Sequence, residues 1–162
     1  AKTGVLRSAY MLGNGEEVML AATDLLAETK VAPELSNEAH YYRAKAYLDA
    51  GKVEGAMDDL KILAKDTRNI YGAEAKYKVA QIYFDAGQTE QAEKEVLDYI
   101  EVSTPHTYWL ARSFVLLSDV YMKLGRNLDA KQYLLSLKQN YQADDDIAGM
   151  IESRLNKLNA EN

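Results

Sequence analysis

The chain has no cysteine, two prolines, two histidines and no excess of positive charge. Each shortage removes a class of function. Without cysteine there is no disulfide framework, no thiolate nucleophile and no thiolate zinc site. His40 and His106 share no metal-ligand spacing, so a packing role is expected for His40. A formal net charge of −6 opposes both the neutralisation of nucleic-acid phosphates and adsorption on an anionic membrane. No run of about 18 apolar residues occurs, so no helix is expected to span a bilayer. Phosphate-cradling glycine loops, nucleophile elbows and metalloprotease helices are also absent from the sequence. The carboxylate pairs Glu16-Glu17, Asp58-Asp59 and Glu93/Glu95 stand beside lysines or apolar residues, the pattern of a solvated face rather than of an acid and its base. A non-catalytic chain with no cofactor and no metal is the expectation. It opens on Ala1 rather than methionine, which suggests a cleaved or excised piece, so the absent leader says nothing about compartment.

What the chain does have is a period. Gly13, Gly51, Gly87 and Gly125 recur at intervals of 38, 36 and 38 residues. Four residues before each glycine stands Ala9, Tyr47, Tyr83 or Tyr121, and five after it Val18, Ala56, Ala92 or Ala130. Apolar residues follow at fixed offsets: Ala22, Leu60, Val96 and Leu134, then Leu25, Leu63, Tyr99 and Leu137. Such self-similarity marks a stacked helical solenoid, with 48% apolar residues to build its core. Each glycine ends one helix and a second helix follows. Thr89 and Asn127 stand where N-cap side chains would open the second helices. Thr104-Pro105 reads as a cap and first helical residue of a long helix reaching Leu124. Asp144-Asp145-Asp146 opens a last helix at the positive end of its dipole, a closing cap rather than a metal site. The expected architecture is one domain, 1–162, with repeats over 1–30 (truncated), 34–66, 69–103 and 105–141 and a capping helix over 144–159.

Tyr47, Gly51, Ala56, Leu60 and Leu63 resemble the helix-packing set of a tetratricopeptide repeat, as do Tyr83, Gly87, Ala92, Val96 and Tyr99, and Tyr121, Gly125, Ala130, Leu134 and Leu137. A small residue lets two helices approach while the tyrosine fills the space between them. The period exceeds the usual 34 residues, and the usual closing proline is missing apart from Pro33 and Pro105. The resemblance implies an all-α fold, a right-handed alpha-alpha superhelix of helical hairpins. The stretch Thr104–Arg112, with Ser118–Tyr121 and Asn140-Tyr141, resembles the C-terminal part of long Bacteroidetes-type tetratricopeptide proteins. Tyr71–Ala75 resembles repeats of periplasmic cell-division coordinators and outer-membrane assembly lipoproteins. Both imply the bacterial periplasm or outer-membrane inner face, with the cytoplasm the alternative.

In tetratricopeptide solenoids the first helix of each repeat lines the concave face. The offsets from the glycines put Glu38, Tyr41, Lys45, Leu48 and Asp49 there from the second repeat. Glu74, Tyr77, Gln81, Phe84 and Asp85 follow from the third, and Arg112, Val115, Asp119, Met122 and Lys123 from the fourth. The chaperone-type clamp for a peptide's terminal carboxylate would need lysine and asparagine where Tyr41, Lys45, Tyr77 and Gln81 stand, so that ligand is disfavoured. The expected function is a scaffold binding a partner protein or peptide on this face. Two alternatives remain: a purely architectural terminal segment of a longer repeat protein, and a glycan- or small-ligand-binding helical protein suggested by twelve tyrosines and Trp109.

Overall fold

The computed structural model describes residues 1–102 and 104–161. Among them all regular structure is helical: α1 (Lys2–Met11), α2 (Gly15–Leu26), α3 (Pro33–Asp49), α4 (Val53–Leu63), α5 (Ile70–Asp85), α6 (Thr89–Glu101), α7 (Thr107–Lys123), α8 (Asn127–Asn140) and α9 (Ile147–Ala160).

The four periodic glycines are the joints. Gly13, Gly51, Gly87 and Gly125 have φ of 70, 74, 78 and 76°, a region a side chain makes costly. At each joint the amide after the glycine donates to the carbonyl four residues before it: Asn14 to Ala9, Lys52 to Tyr47, Gln88 to Tyr83 and Arg126 to Tyr121, at 2.7–3.0 Å. The glycine amide itself donates to the carbonyl three residues before it, that of Tyr10, Leu48, Phe84 or Met122. These two bonds are the Schellman closure, and they satisfy carbonyls that the helix end would otherwise leave free.

The closure also sets where the next helix starts. The residue after each glycine is at once the last of the turn and the N-cap of α2, α4, α6 or α8. Thr89 and Asn127 are therefore already inside their helices, and the caps are Gln88 and Arg126, which give no side-chain bond. Of these four caps only Asn14 uses its side chain, accepting the Glu17 amide at 3.3 Å. The helix expected from Pro105 begins instead at Thr107, because Thr104 Oγ1 accepts the His106 amide and holds a turn ahead of it. Asp144–Asp146 likewise precede α9, where Asp145 Oδ1 accepts the Ile147 amide at 2.9 Å.

The chain divides into two compact units, Ala1–Ala75 and Lys76–Asn162. In the first, α2 packs on α1 and α3, and α3 packs on α4. Leu6, Ala9, Val18, Ala22, Leu25 and Ala39 form a core there. Its α1 is 10 residues long, against 17 for α3. In the second unit α7 packs against α6, α8 and α9, around Val96, Tyr99, Leu117, Val120, Leu134 and Ile151. Ala56, Ala92 and Ala130, the small residues of the repeat register, are fully buried. The expected division of labour between small and bulky residues is visible at Tyr47, whose ring lies 3.1–3.2 Å from where a Gly55 Cβ would stand.

Gly72 meets a different demand. A Cβ there would run into the carbonyl oxygen of Asp66 and come within 2.5 Å of that of Leu63. The turn from α4 is thus laid directly on the first turn of α5, and backbone, unlike a side-chain tip, cannot step aside.

Two stability measurements check this packing. Ala92→Leu should overpack its site and lower stability by about 1–3 kcal/mol in urea unfolding. Gly72→Ala gains about 1 kcal/mol of helix propensity, yet should be net destabilising because the clash is with backbone. A melting temperature at or above that of the parent in either variant would contradict the packing described.

Candidate functional site

The expected binding residues assemble in groups, each within one unit. In the first unit Tyr41 on α3 packs its ring on Tyr71 at 4.5 Å, and its hydroxyl donates to Glu74 Oε1 at 3.0 Å. The Lys45 ammonium lies 5.3 Å over the Tyr41 ring and 3.9 Å from Glu74. Burial first, and the Glu74 carboxylate second, push the Tyr41 hydroxyl pKa well up. Glu38 accepts both donors of the Arg7 fork at 2.7 and 2.9 Å. That pairing holds its carboxyl below the usual range, against a smaller upward push from burial. Tyr10 and Tyr42 stack nearly parallel with centroids 4.0 Å apart, and Tyr42 reaches Tyr41 at 6.0 Å. Burial, then the hydrogen bond and charge of Glu38, raise the Tyr42 hydroxyl to about 12. The result is a strip of four tyrosines flanked by Arg7, Glu38, Lys45 and Glu74. Leu48 is half-buried and Asp49 exposed beyond it.

In the second unit one polar chain joins several expected residues. Gln81 donates to Asp85 at 2.8 Å, Tyr77 donates to Gln81 at 2.9 Å, and Arg112 donates to the Tyr77 hydroxyl at 3.0 Å. Arg112 also donates to Tyr108, which donates to Asp146. The Arg112 guanidinium lies 4.9 Å from the Tyr77 ring centre, 5.9 Å from that of Tyr108 and 6.0 Å from that of Trp109. The three rings already hold a cation, their own. Tyr77 is only 6% exposed and Glu74 8%, so both sit beneath the surface that Tyr41 and Gln81 present. Val115, expected on the same face, is 3% exposed and belongs to the core.

A groove of about 410 Å³ in this unit is lined by Phe84, Asp119, Met122, Lys123, Lys157 and Glu161, among others. Phe84 and Met122 are its half-buried apolar part. Asp119 is held by both donors of the Arg154 fork, at 2.7 and 2.8 Å. Offsets from the glycines could have found Arg7 and Tyr10, which stand six and three residues before Gly13 as Lys45 and Leu48 do before Gly51. Lys157 and Arg154 lie outside the repeat, so periodicity carried no signal for them.

One expectation fails outright. Asp59, read as part of a solvated pair, is 1% exposed. Arg43 binds it through two donors at 2.9 and 2.7 Å, and His40 Nδ1 lies 2.7 Å from Oδ1. An ionised carboxylate only accepts, so the His40 Nδ1 carries the proton between them. Arg43 also donates to Thr23 Oγ1 on α2 at 3.0 Å, so one guanidinium links α2, α3 and α4. Burial alone would raise the Asp59 carboxyl, but bonds from His40 and Arg43 outweigh it and hold the pKa below the ordinary value. Glu93 and Glu95 are not free either: Glu95 pairs with Lys76 at 2.9 Å and Glu93 with Arg126 at 3.4 Å. Among the described residues no group of three His, Asp or Glu side chains is placed to hold a metal ion. None of their helices is long and apolar enough to cross a membrane.

Helical hairpins joined in this way match two solved structures from Podosopora anserina: a protein with a kinesin light chain designation and nearly identical TPR-like repeats, and a single-substitution variant of it. The TM-score is 0.60 for the first and 0.62 for the variant, each at 14% identity over 98% of this chain and 92% of that one. The fold is that of a TPR-like helical repeat. No family model matches the chain, and no curated protein matches it in sequence.

The Asp59 cluster predicts a pH dependence with a definite sign. A carboxyl whose folded pKa lies below its unfolded one stabilises fully above the unfolded value, about 4, and loses that contribution as pH falls through the folded value. Asp59→Ala leaves Arg43 and His40 without their partner and should cost about 3 kcal/mol at pH 7. Urea unfolding of parent and variant should converge as pH drops below about 4. A gap that stays constant to pH 2 would remove the ion pair from the account.

Proposed function

We propose that this TPR-like chain is a non-catalytic interaction scaffold that binds a partner protein or peptide, not a nucleic acid. In each unit the surface is the exposed side of the first helices of the repeats, α3 in the first and α5 and α7 in the second. Its contact residues are Glu38, Tyr41, Lys45, Leu48 and Asp49, then Gln81, Phe84 and Asp85, then Arg112, Asp119 and Met122. Glu74 and Tyr77 act from below, the first orienting the Tyr41 hydroxyl and the second holding Gln81 and Arg112. The observation that carries the reading is the groove in which Phe84, Asp119 and Met122, from two helices, meet around open space. Concave sites of roughly 300–1,000 Å³ with an apolar lining and a few fixed polar groups are the usual form of a binding site. A glycan site is less well supported, because the tyrosine rings stack on one another and leave fewer free faces. The bacterial cell envelope, implied by the stretches Thr104–Arg112 and Tyr71–Ala75, is where the partner is sought first.

A photo-crosslinking residue replacing Met122 tests the reading. It should capture a discrete protein from envelope extracts, while the same residue at Leu135, exposed on α8, should not. Equal capture from both positions, with unchanged circular dichroism, would sink the assignment of this face.

A further inference from the structure

We infer that helix α9 is one wall of the binding groove, and that the groove takes an acidic peptide segment. An apolar side chain of that segment rests on Phe84 and Met122, and its flanking carboxylates meet Lys123 and Lys157. This builds on the reading of the face as a peptide site and names the partner's chemistry.

Charge decides the class of partner. Asp119 faces the groove, but the two-pronged bond from Arg154 neutralises it. Lys123 and Lys157 line the same groove and make no ion pair or hydrogen bond with any described residue. Lys138 and Lys76, by contrast, are paired, with Glu152 at 2.7 Å and Glu95 at 2.9 Å. Glu161 stands at the rim, one turn beyond Lys157, and pairs with neither lysine. The unpaired balance at the groove is therefore positive, in a chain whose net charge is −6. Ammonium groups beside an apolar surface attract carboxylates more strongly than the same groups in open water, because the low-dielectric wall screens less.

Geometry assigns α9 its part. Ile147, Ile151, Leu155 and Leu158 bury one side of the helix. Arg154 then ties α9 to Asp119 on α7, which sets the helix's rotation and brings Lys157 to the groove lined by Phe84 and Met122. An acidic segment gains two charge contacts from different helices and one apolar seat between them.

The test uses the full chain and three fluorescein-labelled heptapeptides, acetylated and amidated so that no free terminus takes part. One is Gly-Glu-Asp-Leu-Glu-Asp-Gly, the second carries Gln and Asn for Glu and Asp, and the third carries lysine at those positions. Anisotropy should show the acidic peptide binding about tenfold or more tighter than its amide counterpart, an advantage that shrinks as salt rises. The double change Lys123→Glu, Lys157→Glu should abolish that preference, whereas Lys131→Glu on α8 should leave it intact. Circular dichroism confirms folding, which exposed lysines do not control. Equal affinity of acidic and amide peptides overturns the charge assignment while leaving a peptide groove standing. Preference retained in the double variant removes α9 from the site, and absence of binding by any peptide overturns the proposal. The crosslinking result at Met122 is independent of all three.

Discussion

Everything in this molecule hangs from a backbone joint in which a left-handed glycine lets the amide beyond it reach back to a carbonyl four residues before it. The bond pair satisfies the helix end and leaves no loop, since the residue that completes the turn also caps the following helix. With the turn length fixed, the offset between the two helices of a hairpin is fixed too. The alanine five residues beyond the glycine must then face the preceding helix, where only a small side chain fits. The same joint gives successive first helices the same sequence register, so side chains at equal offsets from a glycine occupy equivalent positions, each on its own helix. Four glycines thus set both the core and the surface.

Equivalent positions do not all serve the same purpose. Tyr41 and Tyr77 share an offset, yet Tyr41 shields Glu74 at a half-exposed edge while Tyr77 lies buried beneath Arg112. The difference comes from neighbours: Tyr71 stacks on the first, whereas Trp109 and an arginine cover the second. A buried, hydrogen-bonded base under an exposed polar layer restricts the rotamers above it, which would lower the entropy lost if the proposed partner ordered them. Asp59 follows the same logic for stability rather than binding. Its charge is tolerated in the interior because an arginine fork and an imidazole N–H meet it there.

Helix α9 joins core packing with the proposed groove. Its apolar side packs on α7 and α8, while its polar side holds Asp119 through Arg154 and supplies Lys157 to the groove. A helix outside the periodic register thereby gives the groove a chemistry that the repeats themselves lack.

The hairpin fold was legible in the chain because glycine conformation and helical periodicity are local, one set by a missing Cβ and the other by 3.6 residues per turn. The buried alanines, the tyrosines before the glycines and the acidic opening of α9 followed from the same local rules. The helix starts after Gly87 and Gly125 were misplaced by one residue, since an overlapping turn and cap cannot be told from composition. Which charges are solvated was not legible at all: Asp58 and Asp59 are identical in type and adjacent, and only contact with α3 separates the exposed one from the buried one. The groove was half legible. Phe84, Asp119 and Met122 fell in the periodic register, but Lys157 and Arg154 reach it from a helix outside the repeat. Helix type and register are decided along the chain, whereas burial of charge and convergence of a site are decided between helices, where only the tertiary structure sets distances.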